Sequence, residues 1–254
     1  MSIWLEITKQ AKAIAAKEPL MKPLISEMIL TQASLADSLG LRLAEKLGEE
    51  HIPMPVLSLL FQELYKSNST IIKSAEKDLK AICDRDPACT GYVLPLLYYK
   101  GFLALQAARL SHELWSQDRK DMAAHIQSRN SEAFGVDIHP GATFGHGILL
   151  DHASSFVAGE TAIVGNNVSI LHEVTLGGSG KECGDRHPKV GNGVLIGAGA
   201  KLLGNIKIGE GAKIGAGSVV LEDVCPHITV VGVPAKQVGK PRHKSPSAYM
   251  EHNC

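Results

Sequence analysis

One stretch constrains this 254-residue chain more than any other: an apolar residue returns every six positions from Ile138 to Val220. Counting from Ile138 gives Phe144, Leu150, Phe156, Ala162, Val168 and Val174; counting again from Val190 gives Ile196, Leu202, Ile208, Ile214 and Val220. Gly145, Gly197, Gly209 and Gly215 each follow a counted residue. Six is neither the 3.6 of a helix nor the 2 of a simple strand. It fits a short strand and a turn, repeated. Three such units close one coil of a triangular parallel β-helix, and each coil buries what its neighbour leaves open. The glycine is expected to serve the turn.

Residues 1 to about 134 read differently. Glycine is scarce and the apolar period is helical: Ile3, Ile7, Ala11 and Ile14 form one stripe, and Met28, Leu30, Leu35, Leu39 and Leu43 lie in a second long amphipathic stretch. Pro53 and Pro55 break the chain. Asn68-Ser69 caps a helix through Ile72, Ala75, Leu79 and Ile82, which Asp84-Arg85-Asp86-Pro87-Ala88 stops. Leu94–Trp115 and Met122–Arg129 are the last helical stretches. The fold class is therefore α+β, with a helical domain over 1–134, a β-solenoid over 135–239 and a flexible tail over 240–254. The helical block is expected to cover the first coil, whose edge is otherwise open, and to carry subunit contacts.

The hexad breaks once. Val174 to Val190 spans sixteen residues, ten beyond a regular step, and Thr175–Lys189 is rich in glycine and charge. That loop is where chemistry is expected. Candidate acid–base and anion-binding groups cluster there and on the first coil: Asp137, His139, His146, Asp151, His152, Asp185, Arg186 and His187. His152 needs a carboxylate to fix its tautomer. Asp137 lies fifteen residues upstream, close to one coil of eighteen, which predicts a pairing across adjacent rungs. A solvated structural histidine is the competing reading. His139, His146, His152, His172 and His187 lack the close spacing of a zinc site, so no metal is expected.

Other functions are disfavoured by composition. Formal net charge is zero and the pI about 7.2, which gives no nucleic-acid footprint. No apolar run is long enough to span a bilayer, and the N-terminus carries no secretion pattern. Five scattered cysteines, Cys83, Cys89, Cys183, Cys225 and Cys254, suit a reduced cytoplasmic protein.

Several strings resemble the bacterial serine O-acetyltransferase family of hexapeptide-repeat acyltransferases: Arg85-Asp-Pro-Ala88, Pro95–Phe102, Val136-Asp-Ile-His-Pro140, Leu150-Asp-His-Ala153, Val174-Thr-Leu-Gly-Gly178, Gly184-Asp-Arg-His-Pro-Lys189, Ile196–Lys201 and Gly232-Val-Pro-Ala235. The resemblance covers about residues 5 to 240. It implies a left-handed parallel β-helix with one protruding loop, and acetyl transfer from acetyl-CoA to the hydroxyl of L-serine. It makes His152 the base, Asp137 its carboxylate partner and His187 a further catalytic and substrate-pocket residue. It places Arg186 on the substrate carboxylate and Asp86 and Asp151 near its amine. It offers Gly178, Ala198, Lys213, Ala216 and Lys236 as coenzyme A contacts. It further implies feedback inhibition by L-cysteine, trimers of solenoids paired into hexamers, and, in some relatives, O-acetylserine sulfhydrylase as partner. A tail ending in Cys254 rather than isoleucine argues against that last contact. Another acyl acceptor (a sugar, homoserine or a drug hydroxyl) and a non-catalytic scaffold are the alternatives; Arg186 speaks against a neutral sugar.

Overall fold

The computed structural model describes residues 2–180 and 183–250. The helical block comprises α1 (Ile3–Lys17), α2 (Lys22–Ile25), α3 (Leu35–Leu47), α4 (Met54–Ser67), α5 (Ser69–Arg85), α6 (Val93–Tyr98), α7 (Lys100–Ser116) and α8 (Lys120–Phe134). Side-chain caps start the helices where the sequence supplies them: Ser2 for α1, Ser34 for α3 and Asn68 for α5. Two helical expectations change. The stretch through Met28 and Leu43 is broken, because Ser34 caps a new helix by accepting from the Asp37 amide. The stretch from Leu94 is broken at Tyr99, whose extended backbone (φ −76°, ψ 103°) separates α6 from α7.

Fourteen short strands then wind into a parallel solenoid, closed by a final antiparallel strand. The first face stacks β1 (Val136–Ile138), β4 (Phe156–Ala158), β7 (Thr175–Gly177), β10 (Lys201–Leu203) and β13 (Val219–Val220). The second stacks β2 (Thr143–Phe144), β5 (Ile163–Val164), β8 (Lys189–Val190) and β11 (Lys207–Ile208). The third stacks β3 (Leu149–Leu150), β6 (Ser169–Ile170), β9 (Leu195–Ile196), β12 (Lys213–Ile214) and β14 (Thr229–Gly232), with β15 (Ala235–Gly239) antiparallel at its edge. The prism is filled by Ile138, Ala158, Val164, Ile170, Leu176, Val190, Ile196, Leu202, Ile208 and Ile214, all buried.

The register revises the six-count. Ile138 pairs with Ala158, not Phe156, so the first coil takes twenty residues. Later coils take eighteen or, across the loop, twenty-six: Val157 pairs with Thr175, and Thr175 with Lys201. The ten extra residues are thus divided. Eight form the Gly-rich loop, and two are inserted at the corner Asp151–Ser155. Counting in sixes hid the second insertion because Phe156, Ala162, Val168 and Val174, two positions out of register, are also fully buried. The glycines after counted residues also have another cause. A Cβ on Gly145, Gly197 or Gly209 would lie within about 2.7 Å of the backbone of the next coil, or of Asn166 Oδ1. They permit close stacking of coils rather than a special φ.

The helical block covers the first coil, as expected. Arg109 of α7 donates to the carbonyls of Phe144 and Gly145, at 2.9 and 2.6 Å, and pairs with Asp78 of α5 at 2.8 Å. Asp78 is fully buried and its other oxygen accepts the Ile148 amide at 2.8 Å. His112 bonds the Pro140 carbonyl at 2.7 Å.

The described part of the tail, expected to be flexible, carries a short helix and hydrogen bonds to the solenoid. It runs back along the corner between the second and third faces. Ser247 donates to the Asn167 carbonyl at 2.6 Å and accepts from Ser169 at 3.0 Å; Arg85 in turn donates to Ser169 at 3.1 Å. Pro246 and Ser247 are buried in α9 (Pro246–Tyr249). Cys254 lies outside the described residues.

Candidate active site

The two-residue insertion shapes the first half of the site. It sits between β3 and β4, and it drives His152, Ala153 and Ser155 into the left-handed region, at φ 55°, 59° and 58°. Side chains rarely adopt that conformation, and its cost is held by the surroundings. The corner is fixed by Ser155 N donating to the Gly135 carbonyl at 2.8 Å and by Lys100 Nζ on Ser154 Oγ. His152 is thereby thrown outward with its side chain 72% exposed. Its Nε2 lies 3.7 Å from Asp151 Oδ2, and its ring meets His172 edge-on at 5.8 Å.

Beside it opens a cleft of about 420 Å³, lined among others by Asp86, Tyr99, Lys100, Asp151 and His152. The break at Tyr99 aims that side chain and Lys100 into the cleft. Burial, and then a hydrogen bond to the Asp86 carboxylate, push the Tyr99 phenol upward. A phenol that stays protonated is a donor that holds Asp86 in place. Asp86 also accepts the Ala88 amide at 2.8 Å in the turn after α5.

His152 heads a column. Register places His172, Ala198, Ala216 and Gly232 at the same corner of successive coils. An imidazole pair thus gives way to small side chains along this edge of the prism.

A second group of candidate side chains lies at another corner, between the first and second faces. There the long loop returns to the prism. His187 is 7% exposed and its ring covers Gly159, where a Cβ would sit 2.0 Å from Nε2. The Thr161 amide donates to His187 Nδ1 at 3.1 Å, which leaves the proton of the neutral ring on Nε2. Burial and then the Arg186 and Lys189 charges hold His187 below the usual histidine range. Arg186 Nη2 pairs with Glu160 at 2.8 Å, and that hydrogen bond holds the Glu160 carboxyl low. His139 accepts the Gly141 amide at Nδ1, 2.9 Å, and is also held low by burial.

Asp137 belongs to neither corner. It is half-buried on the outer side of β1, where Gln127 Nε2 donates to it at 2.7 Å. Its rung partner is Val157, five residues past His152, because the first coil is twenty residues long. Among the described residues, the carboxylate within ion-pair distance of His152 is Asp151, not Asp137. The adjacent-rung argument assumed a coil of eighteen.

The remaining candidates divide between the corners. Ala198 and Ala216 share the His152 column. Gly178 lies with the returning loop, a Cβ there falling 3.6 Å from His187 Nε2. Lys236 is exposed on the closing hairpin, but Lys213 is 2% exposed, so burial removes it from a solvent-facing groove. Glu160, Thr161, His172 and Tyr99 were not singled out from sequence. Glu160-Thr161 was findable as the corner one coil after Pro140-Gly141. Tyr99 had no signal, since its role depends on a helix break that nothing in the local sequence marks. Among the described residues no group of three or more His, Cys, Asp or Glu is placed to hold a metal ion.

Comparison with known proteins gives the family. Residues 3–107 match the family described as serine acetyltransferase, N-terminal, and residues 187–222 match bacterial transferase hexapeptide (six repeats). The chain is 49% identical to the serine acetyltransferase of Escherichia coli K12 over 99% of its own length and 92% of the relative's. It is 55% identical to Arabidopsis thaliana serine acetyltransferase 3, mitochondrial, over 93% of its length, but spans only 61% of that longer protein. The crystal structure of Neisseria gonorrhoeae serine acetyltransferase superposes with a TM-score of 0.96 at 54% identity, covering 100% of this chain and 97% of that one. A helical block capping a solenoid, with an exposed imidazole at a strained corner and near-full-length identity of about half, has one reading: the chain belongs to the serine acetyltransferase family.

Proposed function

We propose that this protein moves the acetyl group of acetyl-CoA to the hydroxyl of L-serine at the His152 corner, giving O-acetyl-L-serine and CoA. The observation that carries this is the exposed imidazole beside a cleft with two carboxylates, Asp86 and Asp151. Solved serine acetyltransferases hold serine, cysteine or coenzyme A, which supports all three as ligands here.

A serine hydroxyl is a weak nucleophile near neutral pH and needs a positioned base. His152 takes the hydroxyl proton as the oxygen attacks the thioester carbonyl. The tetrahedral adduct collapses, the carbon–sulfur bond breaks, and the imidazolium returns the proton to the departing thiolate. Asp151 and Asp86 face the substrate ammonium, and the Tyr99 hydrogen bond holds the Asp86 carboxylate in place. Asp137, fixed by Gln127, is the further carboxylate we assign to orienting an imidazole. Arg186 takes the substrate carboxylate in a charge-assisted pair, exchanging Glu160 for it, with His187 beside it.

His152 and Arg186 stand at different corners of one prism, and we read them as half-sites that one chain does not join. A second copy, presenting its loop corner to the first copy's His152 corner, completes the site. The small-residue column of Ala198 and Ala216 then faces Gly178 of the neighbour across a groove that suits coenzyme A. This favours a cyclic trimer of solenoids, paired through the helical blocks into a hexamer, in the cytoplasm. Cysteine, which keeps the ammonium and carboxylate of serine, inhibits by occupying the same groups.

The test is thiol release from acetyl-CoA across an acceptor panel. L-Serine is expected to exceed homoserine and a hexose, and cysteine to compete with it. A sugar outperforming serine would refute the assignment.

A further inference from the structure

The turn that carries Asp86 is flanked by two thiols. Cys83 lies in the last turn of α5 and Cys89 just beyond Pro87. Their sulfurs are 2.9 Å apart, and both are free and half-buried. The turn between them is organised on Asp86: its amide donates to the Ile82 carbonyl at 2.8 Å, and its carbonyl accepts the Cys89 amide at 3.0 Å. Asp86 and Ala88 line the cleft beside His152. The described cysteines outside this turn, Cys183 and Cys225, are exposed. Two sulfurs already in contact across a short turn need to approach by less than about 1 Å to reach the disulfide length of about 2.04 Å.

We propose that Cys83 and Cys89 form a reversible dithiol–disulfide site that closes a ring around Asp86, with a small-molecule disulfide as oxidant. Burial, the Cys89 thiol and the Asp84 and Asp86 carboxylates push the Cys83 thiol upward, so the exchange starts at Cys89. The Cys89 thiolate attacks one sulfur of the oxidant and releases the first small thiol. Cys83 then attacks Cys89 Sγ and releases the second. The pair loses two electrons and two protons, and the oxidant becomes two thiols. No group that touches the substrate is consumed. The ring spans residues 83–89 and restricts the turn that presents Asp86, so the oxidised protein binds the amino-acid acceptor with less ordering to do. This functional half rests on the reading of Asp86 given above.

The test treats the native full chain with oxidised glutathione, blocks remaining thiols and maps peptides by mass. A Cys83–Cys89 link, two hydrogens lighter, is expected. It should be reversed by dithiothreitol and absent from Cys83→Ser and Cys89→Ser. Free thiols at both positions, or glutathione resting on Cys89 without a link, would overturn the site. The map involves no acetyl transfer, so it stands or falls separately from the acceptor assignment. In the linked protein the KM for serine is expected to fall about twofold or more, and Cys83→Ser, which can carry glutathione on Cys89 but cannot close the ring, to show no such fall. An unchanged KM in fully linked protein would overturn the tie to Asp86.

Discussion

At the scale of single residues, the site depends on one side chain held where few side chains go. His152 is outside the prism because its own φ is positive, and the strain is local to the inserted corner. If that imidazole is the base, His152→Ala lowers kcat by about two to four orders of magnitude; a steady-state rate within threefold or so of the parent would remove it from the mechanism. The histidines of the other corner, His187 buried and His139 half-buried, report on pH. His139 and His187 are held below their unfolded value of 6.5, so the unfolded chain takes up protons that the folded chain refuses. Stability is therefore full above about pH 6.5 and falls as pH drops below it. Denaturant midpoints measured from about pH 7.5 to about 5.5 should decline, and less steeply in His187→Gln.

At the scale of elements, the joint between helices and solenoid is the part most exposed to a single substitution. Asp78 is wholly buried and binds both Arg109 and the first coil. Removing it leaves a cation in a dry site, and such losses cost about 3–5 kcal/mol. Asp78→Ala should lower the unfolding free energy by that order in a chemical melt, with the isolated site chemistry untouched. The same scale shows what could be read from sequence. The prism was legible because its period is carried by residues that must be apolar. The corner insertion was not, because Phe156, Ala162, Val168 and Val174 are buried too, and a period counts burial rather than pairing. The Asp137–His152 expectation assumed a coil of eighteen, and the first coil takes twenty. The tail from Lys240 was read as flexible from its polarity. Its order comes from hydroxyls, Ser247 and Ser169, that bond backbone at a corner no local pattern reveals.

At the scale of the whole molecule, the side chains we assign to one site stand on different corners of a single chain. His152, Asp151 and Asp86 surround one cleft, while Arg186 and His187 are tied to Glu160 and Thr161 at the next corner. Closed rotational symmetry brings unlike corners of neighbouring prisms together. The direct measurement mixes two inactive variants, His152→Ala and Arg186→Ala, dissociates and reassembles them, and follows thiol release from acetyl-CoA with serine. The account predicts recovery of roughly a quarter of the parent rate, since random assembly pairs an intact His152 corner with an intact Arg186 corner at that frequency. Mixed assemblies as inactive as either variant alone would contradict it.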